Sequence, residues 1–497
     1  MDARPSLLWF RQALRLADNP VLEAAMARGG PVIPVFILDS GEEGEWRPGP
    51  ASSTWLTESL TSLDHDLRER GSRLILRRGL AGEALLALTR ECDARAVFFD
   101  RRYEPAASVS EQVIERMLIT RGIEVVSANA SLLVEPDRIA TEAGGPYRVF
   151  TPFHRAWQRI AIGGSPRPAP RMILAPARWP ARDVRINVDA RARGRLIRDG
   201  GWKPGERGAL ERLRAFVKAS LTGYPNDRDR PGIDGTSRLS QHLHFGEIGP
   251  RQIADAVQTR AAGSSAPGEM RAAEAYLRQL AWREFAVHVL HHHPRTTDRP
   301  LRPEFAAFPW SRGRAGLEAW KRGETGYPIV DAGMRELLGI GWMHNRVRMI
   351  TASFLTKDLR VPWHAGALWF WETLLDADLA NNTFGWQWTA GCGADAAPYF
   401  RIFNPVLQGM RYDPQGSYVR RWIPELSRLP DRWVHRPFEA PADALTQADV
   451  RLGRDYPKPI VDHARAREEA LLAFASIAGG GRKAPKGGRQ SGRHPAH

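Results

Sequence analysis

The first 130 residues alternate between two hydrophobic periods. Short apolar runs, rich in β-branched and aromatic residues, stand at 6–10, 31–38, 73–77, 96–99 and 124–126, and VIPVFIL is the plainest of them. Between them, apolar residues recur every three or four positions at 19–28, 54–70, 82–91 and 108–120. Continuous apolar runs suit strands covered on both faces, and the longer period suits helices burying one stripe. Their alternation predicts a parallel sheet flanked by helices, an α/β Rossmann-like domain over residues 1–130. No glycine-rich fingerprint follows any of these strands, so a dinucleotide site at the sheet is not expected.

The pattern stops at 131–201. Pro166, Pro168, Pro170, Pro176 and Pro180 fall there with Gly163, Gly164 and many arginines, which predicts a long connector over the surface. Helical spacing returns after Trp202, at 209–221, 250–261, 269–290, 313–322, 331–338, 344–358 and 365–375. An all-α domain is expected over 202–478. The remaining 479–497, GGGRKAPKGGRQSGRHPAH, is nearly free of apolar groups and predicts a disordered basic tail.

A chain of 497 residues is too long for one ordinary core, which agrees with this division. Apolar residues at 43% mark it as globular, and no apolar run reaches membrane-spanning length. The N-terminus carries no secretory pattern, and Cys92 and Cys392 are the two cysteines, which fits a reducing cytoplasm. A net charge of +15 points to a polyanionic partner, most simply DNA. Arg482, Lys483, Lys486, Arg489 and Arg493 hold part of that excess in the tail and could add salt-sensitive phosphate affinity.

Chemistry-bearing residues gather in the helical part. Twelve of the 17 tryptophans lie beyond residue 200. The stretch DADLANNTFGWQWTAGCGADAAPYFRIFNP, from Asp376 to Pro405, packs carboxylates, adjacent amides and two tryptophans together. Amides and carboxylates suit a polar heterocycle, and tryptophans suit electron transfer or base stacking. On a helix Trp386 and Trp388 point about 200° apart. In GTSRLSQHLHFGEI, from Gly235, hydroxyls and successive backbone N–H groups could surround a pyrophosphate. In GWMHNRVRM, Asn345 and Met349 share a helix face. GCGADA fits a Rossmann fingerprint only formally, because no strand precedes it. His288, His291, His292 and His293 cluster near a helix end, but no carboxylate or cysteine completes a set, so no metal is expected.

These segments, with LLWFRQALRLADNP at the N-terminus, resemble the DNA photolyase and cryptochrome family, most nearly its bacterial cyclobutane pyrimidine dimer photolyases. The likeness runs to about Pro430. It implies reduced FAD in an all-α C-terminal FAD-binding domain, acting under light on UV-damaged DNA, in a monomeric cytoplasmic enzyme. Trp310, Trp363 and Trp386 match a chain that carries electrons inward, and Asn382 matches the amide beside flavin N5. Tyr224, Thr236, Ser237, Arg238, Leu239, Ser240, Arg283, Arg348, Asp376 and Asp378 match cofactor contacts; an ordinary helix cap is the alternative for the two aspartates. Trp282 and Trp388 match the pair stacking on the lesion, joined by Asn345, Met349 and Gln279. Dimer photolyases commonly carry glutamate where Gln279 stands, and (6-4) enzymes tend to have glutamine there. Those (6-4) enzymes usually have histidine at the place of Asn345. Arg346 is a candidate DNA contact, with an intrahelical ion pair as its alternative. Arg102, Tyr103 and Glu104 resemble the loop contacting a folate antenna, methenyltetrahydrofolate, with Trp46 and Trp55 as candidate lining; a deazaflavin or no antenna is the alternative.

Overall fold

The computed structural model describes residues 4–160, 164–181, 194–264, 266, 268–311, 313–396 and 401–478. The expected tail at 479–497 and residues 182–193 of the expected connector lie outside the described residues.

Five strands, β1 (Ser6–Phe10), β2 (Val32–Leu38), β3 (Ile75–Arg78), β4 (Ala96–Asp100) and β5 (Glu124–Ala128), form one parallel sheet in the order β3-β2-β1-β4-β5. Ser6 stands opposite Val32 on one side and Ala96 on the other. Helices α1 (Pro20–Ala27), α2 (Pro50–Arg68), α3 (Ala81–Glu91) and α4 (Pro105–Ile119) connect the strands. Asn19 starts α1 by accepting from the N–H groups of Val21 and Leu22, with Pro20 at the first helical position. Leu8 and Phe10 face one core and Leu7 and Trp9 the other, so the unbroken apolar run is filled on both sides.

The 131–201 stretch is more than a loop. It carries α5 (Phe150–Gln158), whose Phe153 and Trp157 bury against the long helix of the second module, and α6 (Gly194–Asp199). Proline density hid α5, because its apolar side is only three residues wide.

The helical module holds α7 (Glu206–Ala219), α8 (Tyr224–Asp227), α9 (Ser240–His244), α10 (Pro250–Ala262), α11 (Glu269–His292), α12 (Arg314–Arg322), α13 (Pro328–Ile340), α14 (Asn345–Ser353), α15 (Trp363–Thr373) and α16 (Leu379–Ala390). After α14 the chain makes a π-helical turn, Phe354–Asp358, where the sequence predicted one continuous helix. Five further helices, α17 (Pro405–Tyr412), α18 (Ser417–Trp422), α19 (Asp431–Val434), α20 (Ala442–Gln447) and α21 (His463–Ala478), complete the module. Four of those five are eight residues or shorter, below the length at which periodicity speaks. No helix among the described residues is long and apolar enough to cross a membrane.

A polar seam joins the modules. The fully buried Glu247 carboxylate accepts from Trp55 Nε1 (3.0 Å), Gly205 N (2.8 Å) and Ser59 Oγ, and pairs with His242. Glu206 accepts from Leu16 N and Ala17 N, while Arg15 donates to the carbonyls of Gly246 and Ala130. Gly246 lies at φ +64° so close to Gln12 that a Cβ would collide with its carbonyl oxygen.

Candidate functional site

The loop before α9 is shaped to hold an anion. Arg238 occupies the left-handed region (φ +50°) and Leu239 follows at φ −96°, ψ 4°. Such a succession turns neighbouring N–H groups to one side, and a non-glycine residue held there marks a conformation fixed by its surroundings. Arg212 supplies that fixing: its guanidinium donates to the carbonyls of Ser237 (2.8 Å) and Thr236 (3.0 Å). Sequence reasoning missed Arg212, which sits on α7, two helices earlier and outside the motif. Helix α9 has only five residues, so the N–H groups of the loop carry the anion-binding character, rather than a helix dipole. Ser240 accepts from Trp342 Nε1 (3.4 Å), and Arg238 stacks over the Trp342 ring at 4.9 Å. Tyr224 is buried edge-on to Phe216 and Tyr276. Arg283 donates to Ser131 O (2.7 Å), which ties α11 to the connector.

Helix α16 sets the opposite wall. Asp378 is its N-cap, accepting from Asn381 N (2.8 Å) and Asn381 Nδ2 (2.7 Å). Burial works to raise its pKa, but His244 and Arg283 beside it, with the Asn381 N–H, hold the carboxyl well below the usual range. Asp376 is gripped through both oxygens by Arg348 Nη2 (3.1 and 2.9 Å), and Arg348 Nε donates to Met343 O. Asn382 spends its amide nitrogen on Ala367 O (3.0 Å), which presents the amide oxygen as an acceptor. Three residues on, a Cβ at Gly385 would meet nothing within 4 Å. This face of α16 is therefore a cradle with an acceptor at one edge, and it suits a flat heterocycle.

One turn on from Asn382, on the side of α16 that packs on α15, Trp386 joins the other two expected relay tryptophans in one apolar cluster. Trp386 is buried, 5.0 Å from Phe370 and 6.1 Å from Trp320, both near-perpendicular. Its ring lies against Gly366, where any Cβ would strike it. Trp363, one turn before Gly366 on α15, is buried too. Half-buried Trp310 packs on Phe308 (4.4 Å), and Ser311 N donates to Arg360 O (2.7 Å), which brings it beside the turn into Trp363. Trp320, with Nε1 on Thr351 O, is a neighbour that the sequence reading did not single out.

On the other side of α16, Trp388 is half-buried, in line with the expected divergence from Trp386. Trp282 on α11 stacks one face on Phe150 at 3.6 Å and 8°. Phe150 in turn stacks on His154 at 5.3 Å, so α5 backs Trp282 with a rigid column. Asn345 is exposed at the start of α14 with Nδ2 4.0 Å from Met349 Sδ, so these two do meet. Gln279 turns its NH₂ back to Ala275 O (3.1 Å). Arg346 is ion-paired with Asp229 (3.0 Å) and lies over Tyr412 (4.5 Å); its partner is outside its own helix, which corrects the intrahelical alternative.

A separate cavity of about 400 Å³ opens where the strand order reverses, beyond the C-terminal ends of β1 and β4. Arg11, Glu42, Glu43, Trp46, Arg102, Glu104, His244, Phe245 and Trp371 are among its lining. Glu104 pairs with Arg102 (3.1 Å), and Trp46 Nε1 is buried without a hydrogen-bond partner, a donor left for a ligand. Trp55 does not line it; that ring is fully buried in the seam, which corrects the sequence expectation. The histidine cluster is also altered by the fold. Asp137, from the turn Pro136–Arg138, reaches His291 Nε2 at 2.9 Å, a carboxylate that sequence spacing could not reveal.

An anion-holding loop and an acceptor-edged helix face suit a ligand that joins phosphates to a flat heterocycle, in a helical module docked on a parallel α/β module. Comparison with known proteins agrees. The FAD binding domain of DNA photolyase matches residues 276–476, and the DNA photolyase domain matches residues 6–171. The chain is 44% identical to the deoxyribodipyrimidine photo-lyase of Agrobacterium fabrum, covering 96% of this chain and 99% of that protein. It is 38% identical to Cryptochrome-1 of Arabidopsis thaliana, covering 98% of this chain and 73% of that protein. The crystal structure of a bacterial class III photolyase from Agrobacterium tumefaciens superposes with a TM-score of 0.91 at 43% identity, covering 96% of this chain and 98% of that one. The chain thus belongs to the DNA photolyase and cryptochrome family.

Proposed function

We propose that this protein is a deoxyribodipyrimidine photo-lyase that uses light to split cyclobutane pyrimidine dimers in DNA. The observation that carries the reading is the two-sidedness of α16, with Asn382 and Trp386 one turn apart on the side that meets α15 and Trp388 turned away from it beside Ser353 and Phe403. Bound FAD supplies light-driven electron transfer. The 236–240 loop, with Arg212 and Arg238, holds its phosphates. Asp376 and Asp378, fixed by Arg348 and by the N-cap, accept from its polar edges. Asn382 offers an acceptor that follows the protonation of the heterocycle. Trp310, Trp363 and Trp386 pass electrons from the surface inward.

Trp388 and Trp282 offer aromatic faces to flipped-out bases, and Phe150 keeps Trp282 upright. Photolyases as a class extrude the damaged bases from the duplex, and an aromatic-walled mouth serves that step. Aromatic stacking contributes roughly 1–3 kcal/mol per base without demanding sequence, which suits recognition of damage. Asn345 and Met349 reach the same mouth. Gln279 donates through its NH₂ at any pH, where a carboxyl must first be protonated. The cavity at the sheet holds a light-gathering chromophore, a methenyltetrahydrofolate, with Glu104 and Trp46 as its polar contacts. The protein acts as a cytoplasmic monomer on UV-damaged DNA.

An illuminated assay on one oligonucleotide with a cyclobutane dimer and one with a (6-4) lesion tests this. Turnover of the first alone is expected. Turnover of the second alone overturns the substrate and makes Gln279 the better guide. Similarity to Arabidopsis Cryptochrome-1 supports a second reading, a blue-light photoreceptor. Repair of neither lesion by flavin-loaded, reduced protein favours it.

A further inference from the structure

We propose that Asp137, His291 and His292 form a binding site for a divalent d-block cation, of which Zn²⁺ is the natural probe. One carboxylate oxygen and two imidazole nitrogens lie within 4.8 Å of one another, drawn from two segments 154 residues apart. Zn²⁺ takes nitrogen and oxygen ligands at about 2.0–2.2 Å, so tetrahedral ligands stand roughly 3.3 Å from each other. His291 Nε2 and Asp137 Oδ1 at 2.9 Å need to open by only a few tenths of an ångström to admit the ion. The two imidazoles already meet near-perpendicular, with ring centroids 4.9 Å apart at 83°.

The surroundings favour a cation. His292 Nε2 is buried with no hydrogen-bond partner, and His288 packs behind His292 at 4.5 Å. Asp137 is exposed, so an ion has a route in and a water can fill the fourth position. Among the described residues the other cluster of this type, His65, Asp66 and Glu69, differs: Arg207 already lies 2.8 Å from Asp66 and pairs with Glu69. A fixed cation stands where a metal would. Imidazole and carboxylate together select zinc-like ions over Mg²⁺ or Ca²⁺, which prefer all-oxygen shells. Bound metal would clip the start of the connector to the end of α11, behind the aromatic packing of Tyr103 on His291.

The test uses tag-free, full-length, flavin-loaded protein stripped with a chelator. Zn²⁺ is titrated in competition with a fluorescent indicator. Binding of one equivalent in the micromolar range or tighter is expected, with a rise of about 3 °C in unfolding temperature at saturation. Asp137→Asn and His292→Gln should each weaken that site at least about tenfold, while His65→Gln leaves it unchanged. Retained flavin absorbance shows that each variant is folded. Two results overturn the proposal: binding no tighter than millimolar in the wild type, or affinity indifferent to both Asp137→Asn and His292→Gln.

Discussion

Replacing Trp386 by phenylalanine separates a relay role from a packing role. The indole is 2% exposed and wedged between Phe370, Trp320 and the bare backbone of Gly366. A phenyl ring fills most of that space and leaves a void of ~40 Å³, which costs about 1 kcal/mol as cavity and about 1 kcal/mol in lost apolar burial. A loss of about 2 kcal/mol leaves a folded protein, since stabilities run at roughly 5–15 kcal/mol. Phenylalanine is much harder to oxidise than tryptophan, so an inward electron path through this residue would break at its last step. Two rates are compared: light-driven reduction of the bound cofactor by an external reductant, and repair by enzyme reduced chemically beforehand. The first should fall more than about tenfold while the second stays within about twofold of wild type. Equal loss of both, with flavin content intact, would show that Trp386 only packs. Unchanged photoreduction would remove it from the path altogether.

Trp388→Ala should weaken binding of dimer-containing DNA by about 1–3 kcal/mol, roughly 5- to 150-fold, in an equilibrium binding assay. Undamaged DNA, held through phosphates, should bind as before and show the same salt dependence. Arg348→Met strands the buried Asp376 carboxylate and should cost about 3 kcal/mol in chemical denaturation, with less flavin retained per chain. His344 caps α14 through Nδ1, and burial, with nearby arginines, lowers its pKa to about 4. Because the folded pKa lies below the unfolded value of about 6.5, its contribution is complete above about pH 6.5 and is lost as pH falls towards 4. His344→Asn keeps a capping oxygen and removes the titration. The stability gap between variant and wild type should therefore shift in the variant's favour by about 2 kcal/mol from pH 8 to about pH 5; a gap independent of pH refutes the assignment.

The sheet was legible because its strands are apolar on both faces and its helices on one, and each of the five strands lies where the pattern put it. The long helices α10 and α11 were legible for the same reason. Short helices after residue 405 were not, since four to eight residues give too few turns to show a period. The motif residues identified α16 and its neighbours, but not what holds them. Arg212 acts on the 236–240 loop from another helix, Phe150 braces Trp282 from within the proline-rich stretch, and Asp137 meets His291 across 154 residues. Each is a tertiary contact between segments whose local sequence carries no trace of the partner. Trp55 failed in the opposite sense: an aromatic near a predicted pocket went instead to Glu247.

The Glu247 carboxylate draws its donors from residues 55, 59, 205 and 242, so it belongs equally to both modules. Prising the halves apart would strip that anion of two of its four donors, those of Trp55 and Ser59, at a cost of roughly 1.5–3 kcal/mol each. On heating, the two halves should come undone together, as one calorimetric peak. The cavity at the sheet and the cradle on α16 then keep a constant spacing and a constant mutual tilt. Passing excitation between two pigments depends steeply on both, so with the proposed antenna in that cavity this buried acid would act as part of the optics.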